Sequence, residues 1–216
     1  MSVRVAVHAE GSRETAGFAA RPAPGSVVPA GLEGPAHVLV RRILSEDSKL
    51  PPEAVRFIEP LRTGTGLVAR GSQLRHRPIV RQLLAGWAPG QMKPDVFVIL
   101  VDADGEAGRE RDLRDWTADL GACAIGVAVQ EFEAWLVSDH AAVQGSLGVE
   151  FPATAEPEAM RPREAKRLLD DAIARSGKAA AEVRKTIAAL LSLTAVANRC
   201  RAFRSFRESL QASKPA

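Results

Sequence analysis

The stretch that most constrains the fold is Asp95–Gly105, D-V-F-V-I-L-V-D-A-D-G, in which an unbroken apolar run stops at two aspartates. Val96, Phe97, Val98, Ile99, Leu100 and Val101 offer no polar position to face water, so the segment predicts a central strand covered on both faces. Asp102 and Asp104 follow at its carboxyl end. Two residues apart in extended chain, their carboxylates can turn to the same side, and Gly105 lets the backbone leave sharply. In an open α/β sheet, ligands usually bind at the carboxyl end of such a strand. Two anions this close repel each other unless something positive lies between them, and a hard divalent cation such as Mg²⁺ meets that need. A solvated turn after a strand carries the same letters, so the motif requires acidic company from elsewhere.

That company is present at two further strand exits. Val3–His8, V-R-V-A-V-H, alternates as a strand and ends in His8-Ala9-Glu10-Gly11-Ser12-Arg13-Glu14, with a helix expected to begin within Thr15–Ala20. Gly11 supplies a tight turn, and Glu10 and Glu14 can present their carboxylates to one pocket; a carboxylate near a helix start also has an ordinary dipole-stabilising role. Cys123–Val129 reads as another buried strand, followed by Gln130-Glu131-Phe132-Glu133-Ala134-Trp135-Leu136, with Asp139 beyond. In a helix starting here, Phe132, Trp135 and Leu136 pack inward and leave Glu131 and Glu133 near the strand's end. Three strand exits that end in carboxylates favour a metal site over coincidence.

The remaining chain alternates helix and loop. Arg21–Pro35 is Pro- and Gly-rich and reads as a loop or flap. Helices are expected at Ala36–Leu44, Ile79–Trp87, Glu106–Leu120, Pro162–Ala174, Ala179–Leu191 and Val196–Leu210, a strand at Val55–Ile58, and irregular chain from Gly145 to Pro162. The passage Leu61–Arg77 is rich in Gly and Arg, with Arg62, Thr65, Arg70, Arg75 and Arg77, but lacks the Lys-Ser/Thr of a nucleotide-binding P-loop. Its arginines can touch phosphates or form the polar face of a connection. Lys166 lies in a helix, as a solvated residue or as a neutraliser of charge developing on a phosphodiester. In the last helix Val196, Cys200, Phe203, Phe206 and Leu210 form an apolar stripe, and Arg201, Arg204 and Arg207 form a basic one that is a candidate for phosphate contact. Ala212–Ala216 reads as a frayed end.

Charge is distributed unevenly. Residues 1–160 carry 16 Lys and Arg against 21 Asp and Glu, and residues 161–216 carry 13 against 5. An acidic body that gathers cations beside a basic tail that attracts polyanions is one reading of this asymmetry, and a solvated helix pair is the other. Among 216 residues no apolar run approaches a membrane span, and the N-terminal M-S-V-R-V-A-V-H lacks signal-peptide composition, so a cytoplasmic protein with no membrane partner is expected. Cys123 and Cys200 lack metal-site spacing and are expected as buried free thiols.

Taken in order, E-G-x-x-E at Glu10–Glu14, V-D-A-D-G at Val101–Gly105 and E-F-E-A-W-L at Glu131–Leu136 resemble the Toprim-like superfamily, and the basic stretch at Pro162–Leu169 is similar as well. The likeness is to small stand-alone Toprim-like proteins of unknown function, often encoded beside ATPases in bacterial mobile or defence loci, and related to overcoming-lysogenisation-defect type nucleases. The resemblance implies an α/β fold with a central, mostly parallel sheet flanked by helices: a Toprim-like domain over 1–145 and a basic helical C-terminal extension over 146–216 packed on it. It implies Glu10 as general acid/base, Asp102 and Asp104 as ligands of Mg²⁺ or Mn²⁺ joined by Glu10 and Glu14, and Glu131, Glu133 and Lys166 as analogues of residues that complete a two-metal site. His8-Ala9 departs from the apolar pair commoner before the first glutamate. A topoisomerase with an internal tyrosine nucleophile is excluded, since the chain has no Tyr. The expected activity is metal-dependent phosphodiester cleavage of DNA or RNA. The alternatives are a partner or effector subunit of an ATPase, without activity of its own or active only in that complex, and a phosphotransfer or primase-like enzyme.

Overall fold

The computed structural model describes residues 2–11, 13–15, 21–64, 66, 68, 69 and 71–213. Its centre is a parallel sheet of β1 (Val3–Ala9), β2 (Val55–Phe57), β3 (Val96–Asp102) and β4 (Cys123–Ala128), in the order β2-β1-β3-β4. The apolar run of β3 is buried as its composition requires. Val96, Val98 and Leu100 join one core with Val5 and Val7, while Phe97, Ile99 and Val101 join a second core on the opposite face with Ala6.

Helices fill both faces. The first core is closed by α1 (Pro35–Ser48), α4 (Glu133–Val137), α5 (His140–Leu147), α6 (Glu164–Ser176), α7 (Ala180–Leu190), α8 (Leu193–Arg199) and α9 (Arg201–Ala212). The second is closed by α2 (Arg77–Ala85) and α3 (Arg109–Thr117). In α1 the buried positions Ala36, Leu39, Val40, Ile43 and Leu44 recur at helical spacing, so one face of the helix lies against the sheet. The helices beyond residue 146 continue the same core as β1, β3 and β4.

Both edges of the sheet are covered, which removes exposed strand templates. At β2, the loop expected over Arg21–Pro35 is fastened: Val28 N–H donates to the Phe57 carbonyl at 2.8 Å and Val27 bridges Ile58. Arg21 also reaches the fully buried Glu59 with Nε 2.8 Å from Oε1. At β4, α9 runs along the outer edge, and Ile125 N–H donates to Ser209 Oγ at 3.1 Å.

Several elements differ from expectation. The helix expected over Val196–Leu210 is two, α8 and α9, separated at Cys200, whose φ of −119° and ψ of 103° are extended. Val196, Cys200, Phe203, Phe206 and Leu210 are nonetheless all buried, so the apolar stripe carries across the break without recording it. The break lets α9 turn onto β4. Helix α5 was not expected; Asp139 caps it by accepting from Ala142 N–H at 3.2 Å and also accepts from Ser192 N–H at 2.8 Å. The acidic residue beyond Glu133 is thus a structural cap. Helix α3 is shorter than the expected Glu106–Leu120. The expected helix start after Thr15, Thr65, Arg70 and the end of the C-terminal tail lie outside the described residues. No described helix is long and apolar enough to cross a membrane, and Cys123 and Cys200 are free.

Candidate functional site

From β1 the sheet grows toward β2 on one side and toward β3 and β4 on the other, so the loops leaving β1 and β3 part at a switch point, where open α/β sheets form their crevice. Strand register places the acidic exits there. Ala9 pairs with Leu100 and Asp102 with Ala128, and Glu10 N–H continues the ladder to the Leu100 carbonyl at 2.9 Å. Glu10 Oε2 accepts from the Asp102 N–H at 2.8 Å, and Asp102 Oδ1 accepts from the Phe132 N–H at 3.0 Å. These two bonds tie the exits of β1, β3 and β4 into one corner.

Glu10, Glu14 and Asp102 line a cavity of about 10 Å³, closed by Leu100, Val101, Ala128, Phe132 and Trp135. Glu14 Oε2 is sealed from solvent there and has no hydrogen-bond partner. Burial, and then the negative charges of Glu10, Glu14, Glu133 and Asp104, push the Asp102 carboxyl up to about 8. Burial, and then the charge of Glu133, push Glu14 up to about 7, while Lys166 pulls the other way. The corner is short of positive charge.

Glu133 is buried and lies 3.7 Å from Nε of the buried Arg184, which also pairs with Asp170. Glu131 is buried as well; its Oε1 accepts from the Lys166 N–H at 2.6 Å, and the Lys166 charge acts on both Glu131 and Glu14. The segment Glu131–Leu136 is held by Trp135, stacked on Phe206 of α9 at 5.7 Å and edge-on to Phe203 at 5.3 Å. The structure thus gathers Glu10, Glu14, Asp102, Glu131, Glu133 and Lys166 in one neighbourhood. Asp104 differs: it sits in the turn after β3 at φ 48°, exposed, and pairs with Arg75, so the two aspartates do not project together from extended chain.

The expected basic stripe on α9 is largely used within the protein. Arg207 pairs with Asp47 near the end of α1, and Arg204 Nε donates to the Ala197 carbonyl at 2.9 Å, leaving Arg201 exposed. Helix α1 begins beside Glu14, where Ala36 N–H donates to the Glu14 carbonyl at 3.0 Å. At 1.5 Å of rise per residue, Asp47 is therefore roughly 16 Å along the helix from the acidic corner. In the Gly- and Arg-rich passage, Arg62 donates to the Pro22 carbonyl at 2.8 Å and Arg75 Nη1 to Glu106 at 3.2 Å.

Two functional candidates escaped the sequence reading. Arg109 is 4% exposed and places Nη2 3.3 Å from Glu10 Oε2, with Nε and Nη1 buried and without hydrogen bonds. Arg184 is 2% exposed between Glu133 and Asp170. In R-E-R-D and E-V-R-K both look like ordinary charges on helix surfaces, and only their burial separates them.

No curated protein matches this chain. Among solved structures, it is similar to the C-terminal region of the Burkholderia pseudomallei OLD protein, at 13% identity and a TM-score of 0.46 over 98% of each chain. A family model matches residues 37–211, which contain β2, β3, β4, Asp102, Asp104, Glu131, Glu133 and Lys166, and begin after Glu10 and Glu14. With that match spanning most of its length, the chain belongs to the family described as Domain of unknown function (DUF4276).

Proposed function

We propose that this chain is a Mg²⁺- or Mn²⁺-dependent phosphodiesterase acting on nucleic acid. The observation that carries the reading is the convergence of Glu10, Glu14 and Asp102 on one small cavity at the switch point of the sheet. Its volume of about 10 Å³ is close to what a single water needs. The donors are hard oxygens, Glu14 Oε2 lacks a partner, and the carboxylates repel one another, which together fit a hard divalent cation. Among the described residues no three Asp, Glu, His or Cys side chains form a ready-made cage. Their carboxylates have other partners: Glu10 is held by the Asp102 N–H and Arg109, Asp104 by Arg75, and Glu133 faces Arg184.

Glu10, Glu14, Asp102 and Asp104 are the residues that would hold the cation, with Glu131 and Glu133 beside them. When bound, the cation supplies Lewis acidity toward a phosphoryl oxygen and lowers the pKa of water. Glu10, at the strand exit, moves the proton as general acid/base. The Lys166 ammonium, beside Glu14 and Glu131, offsets charge that develops on the phosphodiester. Phe132 and Trp135 close the apolar side of the cavity, so these charges act at low dielectric.

Calorimetric titration of Mg²⁺ and Mn²⁺ into the protein and into Asp102→Asn/Asp104→Asn, followed by a cleavage screen on labelled DNA and RNA, tests the reading. Binding and cleavage that the variant loses with its fold intact are expected; cleavage unchanged in the variant refutes the site. A second reading is a non-catalytic or conditionally active partner or effector subunit of an ATPase; the pairing of Asp104 with Arg75 and of Glu133 with Arg184, which engages carboxylates a cation would need, speaks for the lack of independent activity and not for the identity of the partner. Its signature is co-purification with an ATPase and no cation binding by the isolated chain.

A further inference from the structure

The geometry points to a nucleic-acid strand held by its phosphates in a basic groove at the start of α6, leading into the acidic corner. The groove has a volume of about 550 Å³, and four of its lining residues are cations, Arg161, Arg163, Lys166 and Arg167. The inference rests on the phosphodiesterase reading for the chemistry of its ligand, and names where that ligand lies.

Arginines elsewhere mostly have protein partners, as in Arg4–Asp95, Arg41–Glu33, Arg81–Asp119 and Arg207–Asp47. The guanidinium groups of Arg161, Arg163 and Arg167 are exposed and, among the described residues, make no hydrogen bond or ion pair. The groove's acids do not answer them: Asp170 is paired with Arg13 and Arg184, and Glu164 accepts the Arg161 N–H at 2.9 Å. Nor is this an anion site made by a helix end, because Glu131 already takes the Lys166 N–H in the first turn of α6. The unpartnered charge is in side chains. Lys166 belongs to the groove and also faces Glu14 and Glu131, so a chain of phosphates crossing the arginines arrives at the carboxylates. A linear polyanion suits unpaired cations that lead to a recessed cavity, which a flat anionic surface could not enter. The α9 stripe offers less, since Arg207 is paired with Asp47 and Arg204 Nε is spent on the Ala197 carbonyl.

The test is fluorescence anisotropy of labelled single-stranded DNA, duplex DNA and single-stranded RNA in EDTA, across a salt series. The variant is Arg161→Gln/Arg163→Asn/Arg167→Gln, with Asn at 163 because φ is +64° there and Asn tolerates that region. Arg167→Gln alone, on the helix surface, serves if the triple variant folds poorly by circular dichroism. Binding by the wild type, a loss of tenfold or more in the triple variant, and a salt slope shallower by about 2, as for three phosphates of a single strand, are expected. Wild-type binding to none of the probes, wild-type affinity in the triple variant, or an equal loss in Arg201→Gln overturns the groove. Asp102→Asn/Asp104→Asn is expected to retain binding in EDTA. Binding through the groove without any metal-dependent cleavage supports this assignment and removes the phosphodiesterase reading alone.

Discussion

Glu14 reaches the acidic cavity because the residue three before it has no side chain. A Cβ on Gly11 would run into the Glu14 carboxylate, so the carboxylate can lie where it does only over a glycine. Gly11→Ala is therefore expected to displace Glu14 while leaving the sheet intact. Measured by calorimetry, Mg²⁺ affinity should fall about 10- to 100-fold, as when a residue supporting a metal ligand is lost. Unchanged affinity would show that Glu14 is not a ligand. E-G-x-x-E was legible as a motif in the sequence. Its physical content, one carboxylate lying over a bare glycine and turned into a closed cavity, was not. Arg109 marks the opposite limit: nothing in its neighbours distinguishes it, and its importance follows from being buried against Glu10, 99 residues earlier.

At the scale of elements, the acidic corner depends on how α9 seats against β4 and α4. Trp135 of α4 stacks on Phe206 with planes 11° apart, and Phe206 lies over Gly126 of β4, where a Cβ would stand 2.8 Å from the Phe206 ring and 2.5 Å from Leu100 Cδ2. Gly126→Ala forces that seam apart. A loss of about 1–3 kcal/mol in urea unfolding is expected, the usual cost of overpacking. Because Trp135 rides on Phe206, the same substitution should also weaken cation binding; full stability would mean that the seam has slack. The strand over Val96–Val101 and the helices over 162–174 and 179–191 were readable because their signal is local, a continuous apolar run or a helical period. The break at Cys200 was not, since a buried stripe is satisfied equally by one helix or two, and only the need to cover β4 decides.

For the molecule as a whole, two histidines shape the response to acid. His37 is buried beneath Phe57 at 4.7 Å, its Nδ1 accepting from the Gly34 N–H, and burial followed by the charges of Arg21, Arg41 and Lys185 pushes it down to about 3. His8, buried in β1 without hydrogen-bond partners, is pushed down to about 4. Both remain neutral in the fold and titrate near 6.5 when unfolded, so the unfolded state takes up more protons below that value. Their contribution is complete above pH 6.5 and is lost as pH falls toward the folded values. Between pH 7 and 5 this costs ~2 kcal/mol per histidine, while the raised carboxyls of Asp102 and Glu14, which take up protons in the fold over the same range, act in the opposite direction, so the histidine part is read in urea unfolding as a difference between wild type and variant. His37→Gln, which keeps an acceptor for Gly34, should remove about half of the histidine part, so that its stability relative to wild type rises by ~2 kcal/mol from pH 7 to 5; a pH-independent difference would contradict the assignment. By itself the sequence determined the buried central strand, the α/β class and the acidic residues at strand exits, because each depends on residue type and short-range period. Tertiary structure alone decided which carboxylates share a cavity and which arginines find a partner within the protein. Those outcomes turn on desolvation and on partners as distant in sequence as Asp47 and Arg207, 160 residues apart, which no local pattern encodes.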